Sequence, residues 1–251
     1  MVNAPDRADV ALGKPSFVWR FGQDRRLNLI RKYTPLDQAR ILDIGCGLGV
    51  YVRKFRDFSD AVIGIDVDRQ RVSEGAKTVP GLLLAAGEHL PFRDGHFDVV
   101  VLNEVIEHVS DDAATVREAL RVLRSGGHVV IYAPNRLYPF ETHGVYLGKR
   151  YVFGNIPLIN WLPTPLRNRL VPHARAYTRA GIRRTYGALA ADVRVETYVF
   201  PGFDQIIARR KRLGAMLRAV LYRVERTPLR IFGLSHFIVL QKRGTTATVG
   251  R

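Results

Sequence analysis

Five short apolar runs, each closed off by polar or turn residues, punctuate the first half of the chain. They fall at residues 40–44, 61–66, 81–86, 97–102 and 128–133, and their length and composition read as strands. Between them the apolar positions recur at helical spacing over residues 50–58, 69–78 and 113–124. An earlier helix, residues 17–33, should end before Pro35, which cannot continue it. The runs are apolar nearly throughout rather than alternating, so both faces of each strand are expected to be covered. Strands that alternate with helices in this way predict a parallel sheet between two helical layers.

After Pro134 that rhythm stops. Residues 135–177 hold five prolines and many aromatics, too long and too apolar a stretch for a plain connection. Insertions of this kind usually cover or complete a binding site, so this one is predicted to be a lid. Residues 178–189 return to helical spacing, and 193–200 form a strand with β-branched side chains. An amphipathic helix is predicted at 205–225, with Ile206, Leu213, Leu217, Val220 and Val224 on one stripe and most arginines elsewhere. Two placements suit it equally: packed on the sheet, or lying on an anionic membrane with its arginines near the headgroups. Residues 236–241 give a last strand, expected antiparallel to the one at 193–200.

The chemistry starts between the first strand and its helix, where Gly45, Gly47 and Gly49 turn the chain. Such a turn presents backbone N–H groups with no side chains in the way, which suits many nucleotide-like ligands. Asp66 ends the second strand about twenty residues later, where an acid can take the two hydroxyls of a ribose. A dinucleotide would fit this spacing as well. Each glycine also reads as a tight turn, and Asp66 as a helix N-cap.

More specific is an ordered series: LDIGCGLG, GIDVD, GEHLPFRDGHFDVV, NEVIEHVSD and LRSGGHVVIYAPN, spread over residues 41–135. In order and spacing it resembles the motif set of class I S-adenosylmethionine-dependent methyltransferases. The resemblance implies an α/β, Rossmann-like sheet of seven strands, with an insertion after strand five and a helical excursion before the last strand. It divides a single domain, residues 1–251, into a cofactor-binding core at 36–135, a lid at 136–177 and a C-terminal part at 178–243. It implies S-adenosyl-L-methionine as cofactor, with Asp43, Gly45, Gly47 and Gly49 around the methionine part. Asp66 would hold the ribose, Val67 would lie against the adenine, Gly87 and Glu88 would meet its edge, and Asn103 would stand beside the transferring methyl. The chain departs from the family at Ala86, where an Asp is frequent.

A hydroxyl acceptor gains from a base or a metal. If residues 104–108 are helical, Glu104, Glu107 and His108 stand on one face and can bind a divalent cation. Their spacing resembles that of ubiquinone-biosynthesis O-methyltransferases and small-RNA 2′-O-methyltransferases, where such residues hold a metal. His143, just past strand five, is a candidate fourth ligand or general base, and His108 a second candidate catalytic group. Against this stands a packed, hydrogen-bonded His108 with no metal, and a purely structural His143.

Charge changes the picture of the partner. Residues 1–135 carry 18 Lys/Arg and 18 Asp/Glu, while residues 136–251 carry 21 and 5, so the whole net charge of +16 lies in the second part. That asymmetry points to an anionic partner: a membrane surface, a phosphorylated acceptor or nucleic acid. Tyr138, Phe140, Tyr146, Tyr151, Phe153 and Trp161 suggest an aromatic acceptor pocket in the lid, ringed by Lys149, Arg150, Arg167, Arg169 and Arg175. Cys46 is the only cysteine, so no internal disulfide can form and a reducing compartment is the simplest reading. No secretory signal is expected at the N-terminus, and no apolar run reaches bilayer length. The expected activity is methylation of an oxygen on a lipid-linked, isoprenoid or glycan acceptor, in the cytoplasm or peripheral at the inner membrane face. The alternatives are RNA methylation, nicotinamide-dependent oxidoreduction, and cofactor binding without catalysis.

Overall fold

The computed structural model describes residues 21–186, 189 and 191–244. Helix α1 (Phe21–Tyr33) leads into a strand–helix succession: β1 (Ile41–Ile44), α2 (Val50–Phe55), β2 (Val62–Asp66), α3 (Arg69–Ala76) and β3 (Leu82–Leu84). Then come β4 (Phe97–Asn103), α4 (Asp112–Val122) and β5 (Leu123–Pro134). After the insertion follow α6 (Arg179–Tyr186), β10 (Ala191–Val199), α7 (Asp204–Arg209), α8 (Lys211–Val224) and β11 (Ser235–Lys242). The main sheet has seven strands in the order β10-β11-β5-β4-β1-β2-β3. The five from β5 to β3 are parallel, and β11 and β10 are added antiparallel at one side.

Successive residues of a strand face opposite sides, and here both sides are filled. Leu42, Ile44, Val100, Leu102, Val129 and Ile131 join one core with Val116 and Leu120 of α4 and Ile182 of α6. Their neighbours Ile41, Val99, Val101, Val130 and Tyr132 join the other, with Leu27 and Ile30 of α1 and Val52 and Phe55 of α2. That double burial is why the runs are apolar at nearly every position. Parallel strands also end together, so the carboxyl ends of β1, β2, β4 and β5 share one edge of the sheet.

The insertion is a small unit with its own core. It contains β6 (Phe140–Glu141), β7 (Val145–Leu147), β8 (Arg150–Val152), β9 (Ile156–Pro157), a 3-10 turn (Ile159–Trp161) and α5 (Thr164–Leu170). Strands β7 and β8 form a hairpin, and β6 pairs with β9. Val145, Val171 and Ala174 are buried among Val152, Ile156, Ile159 and Leu170.

Several boundaries differ from those expected. Helix α2 stops at Phe55 and α3 at Ala76, each earlier than the periodicity suggests. The helix predicted at 205–225 breaks at Arg210 (φ −142°), which lets α7 fold back on α8. Gly214 makes the contact possible, because a methyl there would meet the Ile207 backbone nitrogen at 2.7 Å. Residues 17–20 of the first predicted helix, and 187 and 188 of the one at 178–189, lie outside the described residues.

Gly64 tests the packing between β2 and the glycine turn. An added methyl would lie 2.6 Å from a Val52 methyl and 2.8 Å from Cys46 Sγ, side chains held in the core. Gly64→Ala should therefore destabilise the fold by roughly 1–3 kcal/mol in a denaturant titration. An unchanged midpoint would contradict this packing.

Candidate functional site

Gly45, Gly47 and Gly49 all take left-handed backbone angles, φ 72°, 56° and 79°, which side chains resist. Asp66, at the end of β2, ties the turn down. One carboxylate oxygen accepts from Gly47 N–H at 2.8 Å and the other from Asp68 N–H at 2.9 Å. A helix N-cap it is not: Asp68 performs that task for α3, accepting from the Gln70 and Arg71 N–H groups. Beside the turn lies a cavity of about 250 Å³, walled by Gly45, Asp66, Val67, Ala86, Gly87 and Glu88, and closed by Glu104, Val105 and His108. Val67 is well exposed at its mouth. Glu88 is partly engaged already, its carboxylate accepting from Ser110 N–H at 2.8 Å. Asp43, buried under the turn, has its carboxyl pushed up to about 8 by loss of hydration and by the neighbouring Asp66. Gly49 caps α2 by backbone alone and takes no part in the cavity wall.

At the end of β4 the structure departs from expectation. Residues 104–110 are a chain of turns rather than a helix, and Glu104 is itself left-handed at φ 58°. Glu104, Glu107 and His108 therefore do not share a helical face. Glu104 turns instead to Arg26 of α1 at 2.9 Å and to the Ser235 hydroxyl at 2.7 Å. Burial alone would raise its carboxyl, but Arg26, Ser235 and His143 outweigh that and hold it below the usual carboxylate range. Asn103 turns the same way, its side-chain oxygen accepting from Arg26 at 2.7 Å. Arg26 carried no sequence signal. It lies in an amphipathic helix like any surface arginine, and only the Tyr132 ring beneath its guanidinium (4.8 Å) and its two acceptors reveal its place.

His143 takes the position expected of Glu104. One donor atom each from Glu107, His108 and His143 lie within 4.8 Å of one another. Glu107 is 2% exposed, and neither carboxylate oxygen has a hydrogen-bond partner among the described residues. His143 Nε2 approaches it at 3.6 Å and His108 Nε2 at 3.8 Å. Each histidine is oriented through its other nitrogen. His143 Nδ1 is 2.9 Å from Glu141, and His108 Nδ1 is 3.0 Å from the His173 carbonyl oxygen. Behind Glu141 stands Arg167, 2% exposed, donating to Glu141 at 2.7 Å and to the Ala174 carbonyl at 2.6 Å.

Positive and negative groups thus alternate from the lid core to the cavity wall: Arg167, Glu141, His143, Glu107. Burial would lower the His143 imidazolium, but Glu107 and Glu141 win and raise it to about 10. Glu141 is driven the other way, to about 2, because His143 and Arg167 outweigh its burial. An imidazole whose proton is held by two carboxylates is poorly placed to accept another, which speaks against the base role expected of His143. With His143 deprotonated, the three donors also fit a divalent cation: a buried carboxylate without partners among the described residues, and two imidazoles each fixed by a carboxylate or carbonyl on the far nitrogen.

The lid aromatics do not line one pocket. Tyr146 and Tyr151 pack on each other and on His173, with ring centroids 5.2–5.9 Å apart. Phe153, Trp161 and Phe140 are exposed. Of the expected ring of cations, Arg167 is buried, and Arg175 fastens the lid to the core by donating to the carbonyls of Val109 (2.6 Å) and Ser110 (2.8 Å).

Residues 42–131 match the family model described as a methyltransferase domain. The chain is 32% identical over 176 residues to the ubiquinone biosynthesis O-methyltransferase of Ralstonia nicotianae, covering 67% of this chain and 71% of that one. It is 33% identical over 118 residues to the protein of the same name from Thiobacillus denitrificans, covering 44% and 51%. The chain thus spans about half the length of some of the curated relatives it matches. Among solved structures, an S-adenosylmethionine-dependent methyltransferase from Mesorhizobium loti superposes with a TM-score of 0.59 at 17% identity, over 86% of this chain and 96% of that one. At that identity the likeness speaks for the fold alone.

The charge alternation has a measurable sign. With His143 raised to about 10, its contribution to stability is complete below the ordinary histidine range and is lost as pH rises through about 10. Glu141→Gln should bring the His143 titration, followed by NMR, down by a unit or more, since about 1.4 kcal/mol of charge interaction equals one unit. An unmoved titration would break the proposed alternation.

Proposed function

Since the chain belongs to the S-adenosylmethionine-dependent methyltransferases, we propose that it methylates an oxygen of an isoprenoid, lipid-linked or glycan acceptor. The cofactor would occupy the cavity beside the glycine turn. Asp66 would take its ribose hydroxyls, Val67 would lie against the adenine with Gly87 and Glu88 at its edge, and Gly45, with Gly47 and Asp43 behind it, would stand by the methionine part, while Gly49 shapes the turn without reaching the cavity. The isoprenoid acceptor is suggested by relatives named for ubiquinone biosynthesis.

One observation carries the choice of oxygen: Glu107, buried with both oxygens open, next to the His108 wall of the cavity. An acceptor oxygen attacks the methyl carbon in line with its bond to sulfur. Bound S-adenosylmethionine would supply that methyl carbon and a neutral thioether as leaving group. The hydroxyl proton needs a taker, and in-line placement supplies most of the remaining help. Glu107 is placed to be that taker, with His143 Nε2 3.6 Å from its carboxylate. A divalent cation held by Glu107, His108 and His143 would instead polarise the acceptor oxygen and ease loss of its proton. Both routes act by drawing off or loosening the proton of a hydroxyl acceptor.

Two experiments test the reading. Asp43 is half neutral near pH 8 and must ionise to meet the ammonium of the methionine part. S-adenosylhomocysteine affinity by calorimetry should therefore rise with pH from about 6 to 8, and Asp43→Asn should flatten that rise. Tight binding of NAD with none of S-adenosylhomocysteine would overturn the assignment. With labelled cofactor and fractionated cell extract, label should enter lipid or glycan, and Glu107→Gln should lower its rate by roughly 10²–10⁴-fold, the usual worth of general acid–base catalysis. Label found only in RNA would replace the acceptor. Full activity in the presence of chelator would leave Glu107 as the base and exclude the cation.

A further inference from the structure

Helix α8 carries the apolar stripe that its sequence shows, but the stripe points away from the protein. The helix is held by its polar side. Arg218 donates to the Gly202 carbonyl at 2.9 Å and to Asp204 at 3.1 Å, and its guanidinium lies 3.8 Å over the Phe21 ring. Glu225 pairs with Arg25 and accepts from Phe200 N–H at 2.7 Å. Tyr222 stacks on Phe21. These three residues, four and three apart, define the inner face. On the outer face Leu213 is 40%, Met216 57% and Val220 50% exposed, and on the following 3-10 turn (Pro228–Phe232) Leu229 is 57% exposed.

Cations frame this stripe. Arg209, Arg210, Lys211, Arg212, Arg223, Arg226 and Arg230 are exposed, and among the described residues none forms an ion pair. Asp204 and Glu225 are the only acids between residues 200 and 244, and both are spent on the inner face. A second copy of the same surface would bring cations against cations, which opposes self-pairing. Nucleic acid would satisfy the arginines and leave the apolar stripe in water. A leaflet with anionic headgroups and acyl chains satisfies both.

We propose that α8 and the Pro228–Phe232 turn dock the protein on an anionic membrane, with Leu213, Met216, Val220 and Leu229 entering the acyl region and the flanking arginines meeting headgroup phosphates. The position of the face bears on the site. Asn135, where the lid begins, donates to the Ile231 and Gly233 carbonyls at 2.7 Å each, and Trp161 of the lid touches Phe232 with centroids 6.4 Å apart. The docking face and the lid therefore form one edge, at the carboxyl ends of the strands. Docking needs no particular acceptor. The corollary that the lid draws its acceptor from the leaflet rests on the function proposed above.

The test is flotation of the full chain with vesicles of phosphatidylcholine, with and without phosphatidylglycerol, in the absence of any acceptor. The chain should float with the anionic vesicles at low salt, less so as salt rises, and not with phosphatidylcholine alone. Met216→Asp combined with Val220→Asp should weaken partitioning by roughly tenfold or more. Arg212→Glu with Arg223→Glu should weaken it by about an order of magnitude through loss of headgroup attraction. Both pairs should keep the wild-type circular dichroism and S-adenosylhomocysteine affinity, because these side chains project away from the cavity. No flotation at low salt overturns the proposal. So does flotation that neither pair of substitutions reduces, or a dimer in place of vesicle binding that Met216→Asp dissolves. RNA that binds with the same affinity to wild type and to the Met216→Asp, Val220→Asp chain, while the vesicles do not, also overturns it. A failure of methyl transfer would appear in the labelling assay and leave the flotation result intact.

Discussion

Arg167 is sealed from water inside the lid, and a guanidinium in that position must be neutralised where it stands. Glu141 does so, and the consequences run outward. The Glu141 carboxylate fixes one face of His143, the imidazolium so formed faces Glu107, and Glu107 adjoins His108 in the wall of the cavity beside the glycine turn. Each group is tolerable in the low-dielectric interior only because the next one is charged. The lid is therefore more than a cover. Its folded core sets the protonation of a histidine that meets the parallel sheet's functional edge.

That arrangement was partly legible in the chain. Burial on two faces writes an unbroken apolar run, so β1, β2, β4 and β5 could be read locally, and so could the turn of Gly45, Gly47 and Gly49 with Asp66 following it. What escaped was set by distant partners. Glu104 leaves helical geometry because Arg26 and Ser235, 78 and 131 positions away, both reach for its carboxylate. His143 finds its orientation from Arg167 by way of Glu141, a link no spacing rule encodes. Of the predicted stripe, Leu213, Leu217, Val220 and Val224 lie on α8 while Ile206 falls on α7 beyond the break at Arg210, and periodicity says nothing about which side of a helix is mounted on the protein. That was decided by Arg25, Phe21 and Asp204.

The two halves of the chain divide the labour by charge. Residues before 136 are balanced and supply the sheet, the turn and the cavity; those after it carry all of the net positive charge. Within that second part, the buried arginine is matched to an acid, while the exposed cations that flank the outer face of α8 form no ion pair among the described residues. Large apolar side chains left in water are an aggregation liability, and a patch of them ringed by cations fits a surface that is covered in use.

Val105 presses directly on the glycine turn: a methyl added to Gly45 would overlap its side chain at 2.3 Å. Two residues further on, Glu107 belongs to the charged group under the lid. The turn and that group therefore share a short, stiff lever. A ligand that shifts one end does work on the other, and thermodynamic reciprocity requires equal work in return. Cofactor and acceptor would sense each other through a valine in the wall of the cavity.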